Sequence, residues 1–366
     1  MKKKTVKAIM IIIVIAFIIL IGYMLIKHKN TEINKASVKE ISAELKNYKF
    51  GEYDNLKFDC TPHNTEIDKL YEIEITPYSE QLTEDDNGRK KTLELCEKFL
   101  GKNVDADGFN DTNMYTYYDG EEVAGEYFNV GTFWVRDKRV PDDFGDELSI
   151  VKSVKASDDY SNEQYKVGGE IYSISDAVNF SEKVIDEYKD YLHSDETLKL
   201  TDIAVISGGG FDEYNYILHY THMIDGVAVS DNGFFDIDTD EFMKPAYFEI
   251  HLMGKDKVFQ IRNNYYYEIR NKNSVDKIIP LSSAEKLMAD SIAQNLHYKV
   301  TECELKYVCI TNYTDEKAYY KPMWAFTIDE YGENGADYFC DRCGYVDAQT
   351  GDVYLCDAKE HLLTKQ

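Results

Sequence analysis

Short helical patterns alternate with Tyr- and Val-rich runs along this chain, and glycine and Asp/Asn clusters break the runs. The alternation predicts an α+β fold. One stretch stands apart. Residues Ala8 to Ile26 read AIMIIIVIAFIILIGYMLI, without a single charge. At about 1.5 Å per residue such a helix spans roughly 28 Å, close to the hydrocarbon thickness of a bilayer. It is apolar all round, unlike a surface helix. Gly22-Tyr23-Met24-Leu25 offers no small-residue cleavage site, so the pattern predicts an uncleaved anchor and not a secretory signal. Lys2, Lys3, Lys4 and Lys7 precede it, against Lys27 and Lys29 just after it. That bias places the amino terminus inside and residues 30–366 outside: a single-pass cell-membrane protein with its bulk extracytoplasmic.

Beyond the anchor, two stretches share an order of elements. In the middle, Ser173–Leu192 has a helical pattern, followed by strand-like runs at Thr201–Ile206 and Tyr214–His222 and a tight turn at Asp225-Gly226. A closing pair surrounds Asp238-Thr239. Near the end, a helix opens at Leu281-Ser282-Ser283-Ala284-Glu285, with Ser282 and Glu285 at capping-box spacing. Strand-like runs follow at Glu304–Thr311 and Tyr319–Ile328. Tyr345–Tyr354 then reads as a hairpin with Gly351 supplying positive φ. A more decayed third copy fits 51–150, helical at Thr92–Leu100 and strand-like at Tyr127–Val135. The expected organisation is a cytoplasmic tail and transmembrane helix over 1–29, a stalk over 30–50 and a first α+β region over 51–160. A second unit over 161–255 and a carboxy-terminal unit over 275–366 complete it.

Composition narrows the function classes. With 41 Lys+Arg against 67 Asp+Glu, the net charge of -26 argues against nucleic-acid binding. The 43% hydrophobic and 13% aromatic content argues against a disordered chain. The seven cysteines are Cys60, Cys96, Cys303, Cys309, Cys340, Cys343 and Cys356. In an oxidising compartment disulfides are their natural reading, with Cys60–Cys96 as one bridge and at most two among the last five. A zinc site using Cys340-x-x-Cys343 with Cys303 and Cys309, and reduced structural thiols, are the alternatives.

Asn103–Asp111 matches the first part of a calcium loop, but its twelfth position is Met114 where a bidentate Glu belongs, so a solvated acidic turn is expected. His219 and His222 fall on opposite faces of one strand and are read as ordinary strand positions. Gly208-Gly209-Gly210 fits a hairpin loop better than a phosphate cradle. Tyr265-Tyr266-Tyr267 suits a half-buried strand, with a sugar- or peptide-binding face as the sharper alternative. No catalytic motif, metal site or cofactor is implied.

The helix from Ser282, the run Tyr320-Lys321-Pro322-Met323-Trp324-Ala325-Phe326 and the stretch Tyr345-Val346-Asp347-Ala348-Gln349-Thr350-Gly351-Asp352-Val353 together resemble a PepSY-type module. The anchor followed by two or three such helix-plus-antiparallel-sheet units resembles extracytoplasmic accessory proteins of bacterial cell-envelope sensor kinases. The resemblance implies a non-catalytic module that binds and regulates another envelope protein, such as a sensor kinase or peptidase. An envelope hydrolase and a cation- or peptide-binding sensor domain are the alternatives.

Overall fold

The computed structural model describes residues 34–63, 67–76, 149–189, 196–208, 211–236, 241–243, 247–264, 269–292, 298–312, 317–330 and 343–356, together with four strands and a few helical residues between 90 and 136. In chain order the elements begin with β1 (Ala36–Ser37), α1 (Val38–Leu45), β2 (Leu56–Phe58) and β3 (Tyr71–Ile75). Four short strands follow: β4 (Asp105–Phe109), β5 (Tyr115–Asp119), β6 (Glu122–Asn129) and β7 (Thr132–Arg136). Next come β8 (Ser149–Lys155), β9 (Gln164–Val167), β10 (Glu170–Ser173), α2 (Ile174–Tyr188), β11 (Glu196–Gly208), β12 (Phe211–Ile224), β13 (Val227–Asp236) and β14 (Glu241–Met243). The last part holds β15 (Tyr247–Gly254), β16 (Lys257–Asn264), β17 (Ile269–Ser274), β18 (Lys277–Ile278), α3 (Leu281–Ser291), β19 (Tyr298–Asn312), β20 (Lys317–Glu330), β21 (Cys343–Asp347) and β22 (Val353–Cys356).

The molecule is mostly β, which corrects the expected α+β architecture of helix-plus-sheet units. The sequence reading cut the alternating runs too short. Thr201–Ile206 belongs to a 13-residue strand and Glu304–Thr311 to a 15-residue strand, so strand outweighs the short helices. The pairings also join the expected units. β8, β11, β12, β15, β16, β7, β6, β5 and β4 form one antiparallel succession. β13 leaves the end of β12 and runs parallel to β19, which pairs along its length with β20. β21 and β3 share the far side of β20, and β22 and β17 flank them. Among the described residues the pairings branch without closing on themselves.

No helix among the described residues is long and apolar enough to cross a membrane. The apolar run at 8–26 lies outside the described residues, so the expected single-pass, extracytoplasmic placement has nothing in the structure beneath it and is withdrawn.

Two cores hold this sheet. In the first, α2 lays Ile174, Ala177, Val184, Ile185 and Tyr188 against Ile203, Val205, Tyr216, Leu218, Tyr220, Ile250 and Leu252. Those strand positions recur every second residue, so they share one sheet face. Each fully buried Ile or Val contributes roughly 1.5–3 kcal/mol. Ser173 starts α2 by accepting from the Asp176 amide at 3.0 Å. The second core gathers α1, β3, α3, β19 and β20 around Trp324, whose Nε1 donates to the Ile279 carbonyl at 2.9 Å.

The described part of the expected stalk belongs to this second core. β1 pairs with β18, and Val38, Ile41 and Leu45 of α1 are buried. A capping box starts that helix: Glu40 N donates to Ser37 Oγ and Ser37 N donates to Glu40 Oε2. The tight turns obey local chemistry. Asp225 and Gly226 both have positive φ, 49° and 82°, and join β12 to β13, while Gly351 has φ 82° in the β21–β22 hairpin.

Replacing Trp324 by Phe should lower stability by about 1–3 kcal/mol, from lost volume and an orphaned Ile279 carbonyl. The measurement is the shift of the urea unfolding midpoint at unchanged slope.

Candidate functional site

Residues 48–60 form an arm across α3, and they enclose a cleft of about 420 Å³. Tyr48, Phe50, Tyr53, Leu56, Phe58 and Cys60 line it, with the exposed Lys49, Glu52 and Lys57. The rings organise one another. Phe50 and Phe58 stack at 4.1 Å, Tyr48 meets Phe50 edge-on at 5.3 Å, and Tyr53 meets Phe58 edge-on at 6.2 Å. Phe58 in turn abuts Phe326 of β20, so the cleft is rooted in the second core.

Both ends of α3 hold this arm. Asn55 Nδ2 donates to the Ala289 and Ile292 carbonyls at 2.9 and 3.0 Å, capping the helix C-terminus. At the other end Glu285 Oε1 accepts from Gly51 N at 3.2 Å and from the Tyr53 hydroxyl at 3.1 Å. Glu285 was expected to close a capping box with Ser282. The helix instead begins after Pro280 with no side-chain cap, which leaves the Glu285 carboxylate for the arm. The carboxylate is 5% exposed, and its Oε2 has no hydrogen-bond partner among the described residues. Burial raises its pKa against the opposing pull of Gly51 and the two tyrosines. Burial and then the Glu285 charge push Tyr53 up to about 12 and Tyr48 further still.

A second polar cluster lies where β12 forks between β15 and β13. One cross-strand row reads Asp202, His219, Glu249, Arg262 on β11, β12, β15 and β16. His219 sits between two carboxylates, Asp231 Oδ2 and Glu249 Oε1, each at 3.7 Å from a ring nitrogen. His251 Nε2 meets the other Glu249 oxygen at 3.3 Å. Asp231 reaches this position because residues 230–233 bulge out of the β13–β19 pairing, and Thr221 Oγ1 donates to it at 2.9 Å. Burial alone would lower the His219 pKa, but Asp231 and Glu249 outweigh it and raise it to about 10. Glu249 is likewise driven up by burial and down more strongly by its two histidines, to about 2. Next along the strand, His222 is buried and turned to the other face; burial lowers its pKa to about 4 while Nε2 holds Asn263 Oδ1 at 2.9 Å. His219 is therefore the centre of a buried ion network and not an ordinary strand position.

The expected Cys60–Cys96 bridge is not formed. Cys60, Cys96, Cys303 and Cys309 are free thiols. Cys96 lies in the first core and Cys60 packs against the second, so they cannot bridge. Cys303 and Cys309 are six residues apart on β19, roughly 20 Å along an extended strand. Cys343 stands opposite Cys356 in register, and Cys340 lies outside the described residues. Among the described residues no group of three His, Cys, Asp or Glu side chains is arranged to hold a metal.

The expected acidic turn at Asn103–Asp111 contains strand β4, whose extended backbone does not wrap a cation; its ends lie outside the described residues. Gly208 pairs with Phe211 across the expected hairpin, and Tyr265–Tyr267 lie outside the described residues. The arm went unread because the notable signal, four aromatics within eleven residues of Tyr48–Phe58, has no regular period. The alternation Glu249-x-His251 within an otherwise apolar strand was the available sign of the second cluster.

No family model matches this chain, and no curated protein matches it. Among solved structures it is similar to an uncharacterized protein from Eubacterium rectale ATCC 33656, with a TM-score of 0.53 and 13% identity, over 82% of this chain and 91% of that one. At that identity the likeness concerns the fold alone. The PepSY-type resemblance finds no support in these comparisons, and the β-rich sheet replaces the units it implied.

The titrations oppose one another. His219, about 10 when folded against 6.5, gives stability that is full below pH 6.5 and lost as pH rises towards 10. His222, about 4 against 6.5, gives stability that is full above pH 6.5 and lost as pH falls towards 4. Glu249, about 2 against 4.5, extends the acid loss from pH 4.5 towards 2. Stability should peak near pH 6.5, with a limb of up to about 1.4 kcal/mol per pH unit on the alkaline side. His219→Gln should flatten that limb between about pH 6.5 and 9, below the range where the buried thiols and tyrosines add their own loss. Urea titrations at stepped pH measure it.

Proposed function

We propose that this chain is a non-catalytic recognition protein that binds and regulates another protein, and that the aromatic cleft over α3 receives a segment of that partner. One observation carries the reading: the cleft brings together preformed aromatic surface, a few polar groups and a scaffold fixed at both helix ends. Tyr and Phe supply large contact area at low entropic cost, because their side chains have few rotatable bonds. The mutual stacking means that little ordering remains to be done on binding. The ionic cluster at the β12 fork supports a different role. His219, Glu249 and His251 are 8%, 3% and 8% exposed, and each lies within 4 Å of another member of the cluster.

A sheet edge is the second place a partner could add. Ile150 and Val151 of β8 are each 46% exposed, and among the described residues β8 pairs with β11 alone. The pairing is irregular at that end, between Val205 and Ile206, and such a bulge discourages strand addition.

Peptides selected from a random displayed library against the full chain should lose at least about tenfold in affinity with Phe50→Ala, a hot-spot loss for an aromatic anchor. The double change Ile150→Ser, Val151→Ser should leave them unaffected. Ligands with the reverse sensitivity would move the site to the β8 edge. Unfolding midpoints of both variants separate lost contact from lost fold.

A further inference from the structure

We infer that Cys60 and Cys303 form a redox pair: a small disulfide entering the cleft oxidises them to a bridge that ties the arm to β19. The inference stands on the placement of the two thiols, whichever occupant the cleft serves.

The backbone brackets the pair. Phe58 stands beside Val300 and Pro62 beside Cys303, both in parallel register. Asp59 N donates to the Val300 carbonyl at 2.9 Å and His63 N to the Cys303 carbonyl at 2.8 Å, so the chain is held on both sides of Cys60. Between these anchors the arm advances from 58 to 62 while β19 advances only from 300 to 303. The extra residue is a bulge, and it gives the arm slack at Cys60. Both side chains turn inward: Cys303 belongs to the second core and Cys60 packs against it. Neighbouring strands lie about 4.8 Å apart and two residues advance at most about 6.6 Å, which puts the two Cα atoms roughly 5–8 Å apart. Disulfides span about 4.4–6.8 Å. The slack of the arm covers the difference.

Access orders the chemistry. Cys60 is half-buried and lines the cleft, whereas Cys96, Cys303 and Cys309 are at most 2% exposed. The Cys60 thiolate attacks first and displaces one thiol from the small disulfide, which leaves a mixed disulfide on Cys60. The Cys303 thiolate then attacks the Cys60 sulfur and releases the second thiol. Both protons and two electrons of the pair end on the two released thiols. Burial, then Glu302 and Asp59, push the Cys60 thiol up to about 11. Burial raises Cys303 well above the usual thiol range, and Cys60 is the next largest influence on it, as befits two neighbouring sulfurs. A thiol of raised pKa is a slow nucleophile near neutrality, and its thiolate does little to stabilise the reduced form. The bridge therefore forms slowly and, once formed, resists reduction.

The test incubates the reduced full chain with oxidised glutathione, quenches with acid, alkylates the remaining thiols and maps the peptides by mass spectrometry. A peptide joining Cys60 to Cys303 is expected, with Cys96 and Cys309 recovered alkylated. Its formation should accelerate about tenfold per pH unit between about pH 7 and 9, as the thiolate fraction of a thiol near 11 does. Cys303→Ser should hold glutathione on Cys60, and Cys60→Ser should leave Cys303 unreacted. Glutathione retained on Cys60 of the unaltered chain, a bridge from Cys60 to any other cysteine, or no reaction at about pH 9 would overturn the inference. Reaction of Cys96 or Cys309 at the same rate would place the chemistry in the unfolded chain and overturn it too. The map of the unaltered chain needs no variant, so poor folding of either serine variant would not shelter the inference.

Discussion

The fork of β12 is the constraint on which the architecture depends. One strand serves two sheets: residues 216–220 pair with β15, and 223–224 turn into β13, which runs parallel to β19. A fork separates backbones that would otherwise satisfy one another, and it opens a polar seam inside the protein. His219, Asp231 and Glu249 fill that seam. At the solvent side of the seam the exposed Lys155 reaches Asp202 of β11 at 3.3 Å and Glu302 of β19 at 3.6 Å, while the histidine and its two carboxylates lie deeper. Charges buried this way add little net energy over a well-packed apolar seam. They are worth more as a register lock. A slip of one residue in β12 would turn His219 to the α2 face and bring Leu218 or Tyr220 against two carboxylates.

The cleft depends on the same long-range assembly. Its walls come from an arm early in the chain, held by a carboxylate 234 residues from the amide it accepts. Neither half has the site alone. The arm cannot form it before β19 and β20 are paired, because Phe58 needs Phe326 and Asn55 needs the end of α3. Contacts this distant in sequence favour slow folding, and they couple the site to the integrity of the second core.

What could be read from the sequence was local. The helix near Ser173–Leu192, the helix at Leu281, the Asp225-Gly226 turn and the Gly351 hairpin rest on caps, periodicity and positive-φ residues, and each appears close to its expected place. What could not be read was pairing. The runs Thr201–Ile206 and Glu304–Thr311 say that strands exist, but nothing in them says that β13 will run beside β19 or that residues 36–75 will return to strands beyond 268. The candidate site failed for the same reason. Glu285 at three residues from Ser282 is a good capping pair by local rules, and only a distant glycine amide and tyrosine hydroxyl explain why its carboxylate points elsewhere. The separation of Cys60 from Cys96 was equally unreadable, because spacing carries no information about which of two cores each thiol enters.

The two polar centres then differ in a way that separates their roles. At the fork His219 has two carboxylates, and Glu249 two histidines, within 4 Å. At Glu285 the carboxyl is met by neutral donors alone, the Gly51 amide and the Tyr53 and Tyr48 hydroxyls. Neutral donors orient a carboxylate without cancelling its field. A protein that needed Glu285 only to pin its arm would be equally served by glutamine, whose carbonyl accepts from Gly51 and Tyr53 without the cost of a buried charge. Burial beside neutral donors raises the Glu285 pKa, the opposite of what the paired histidines do to Glu249.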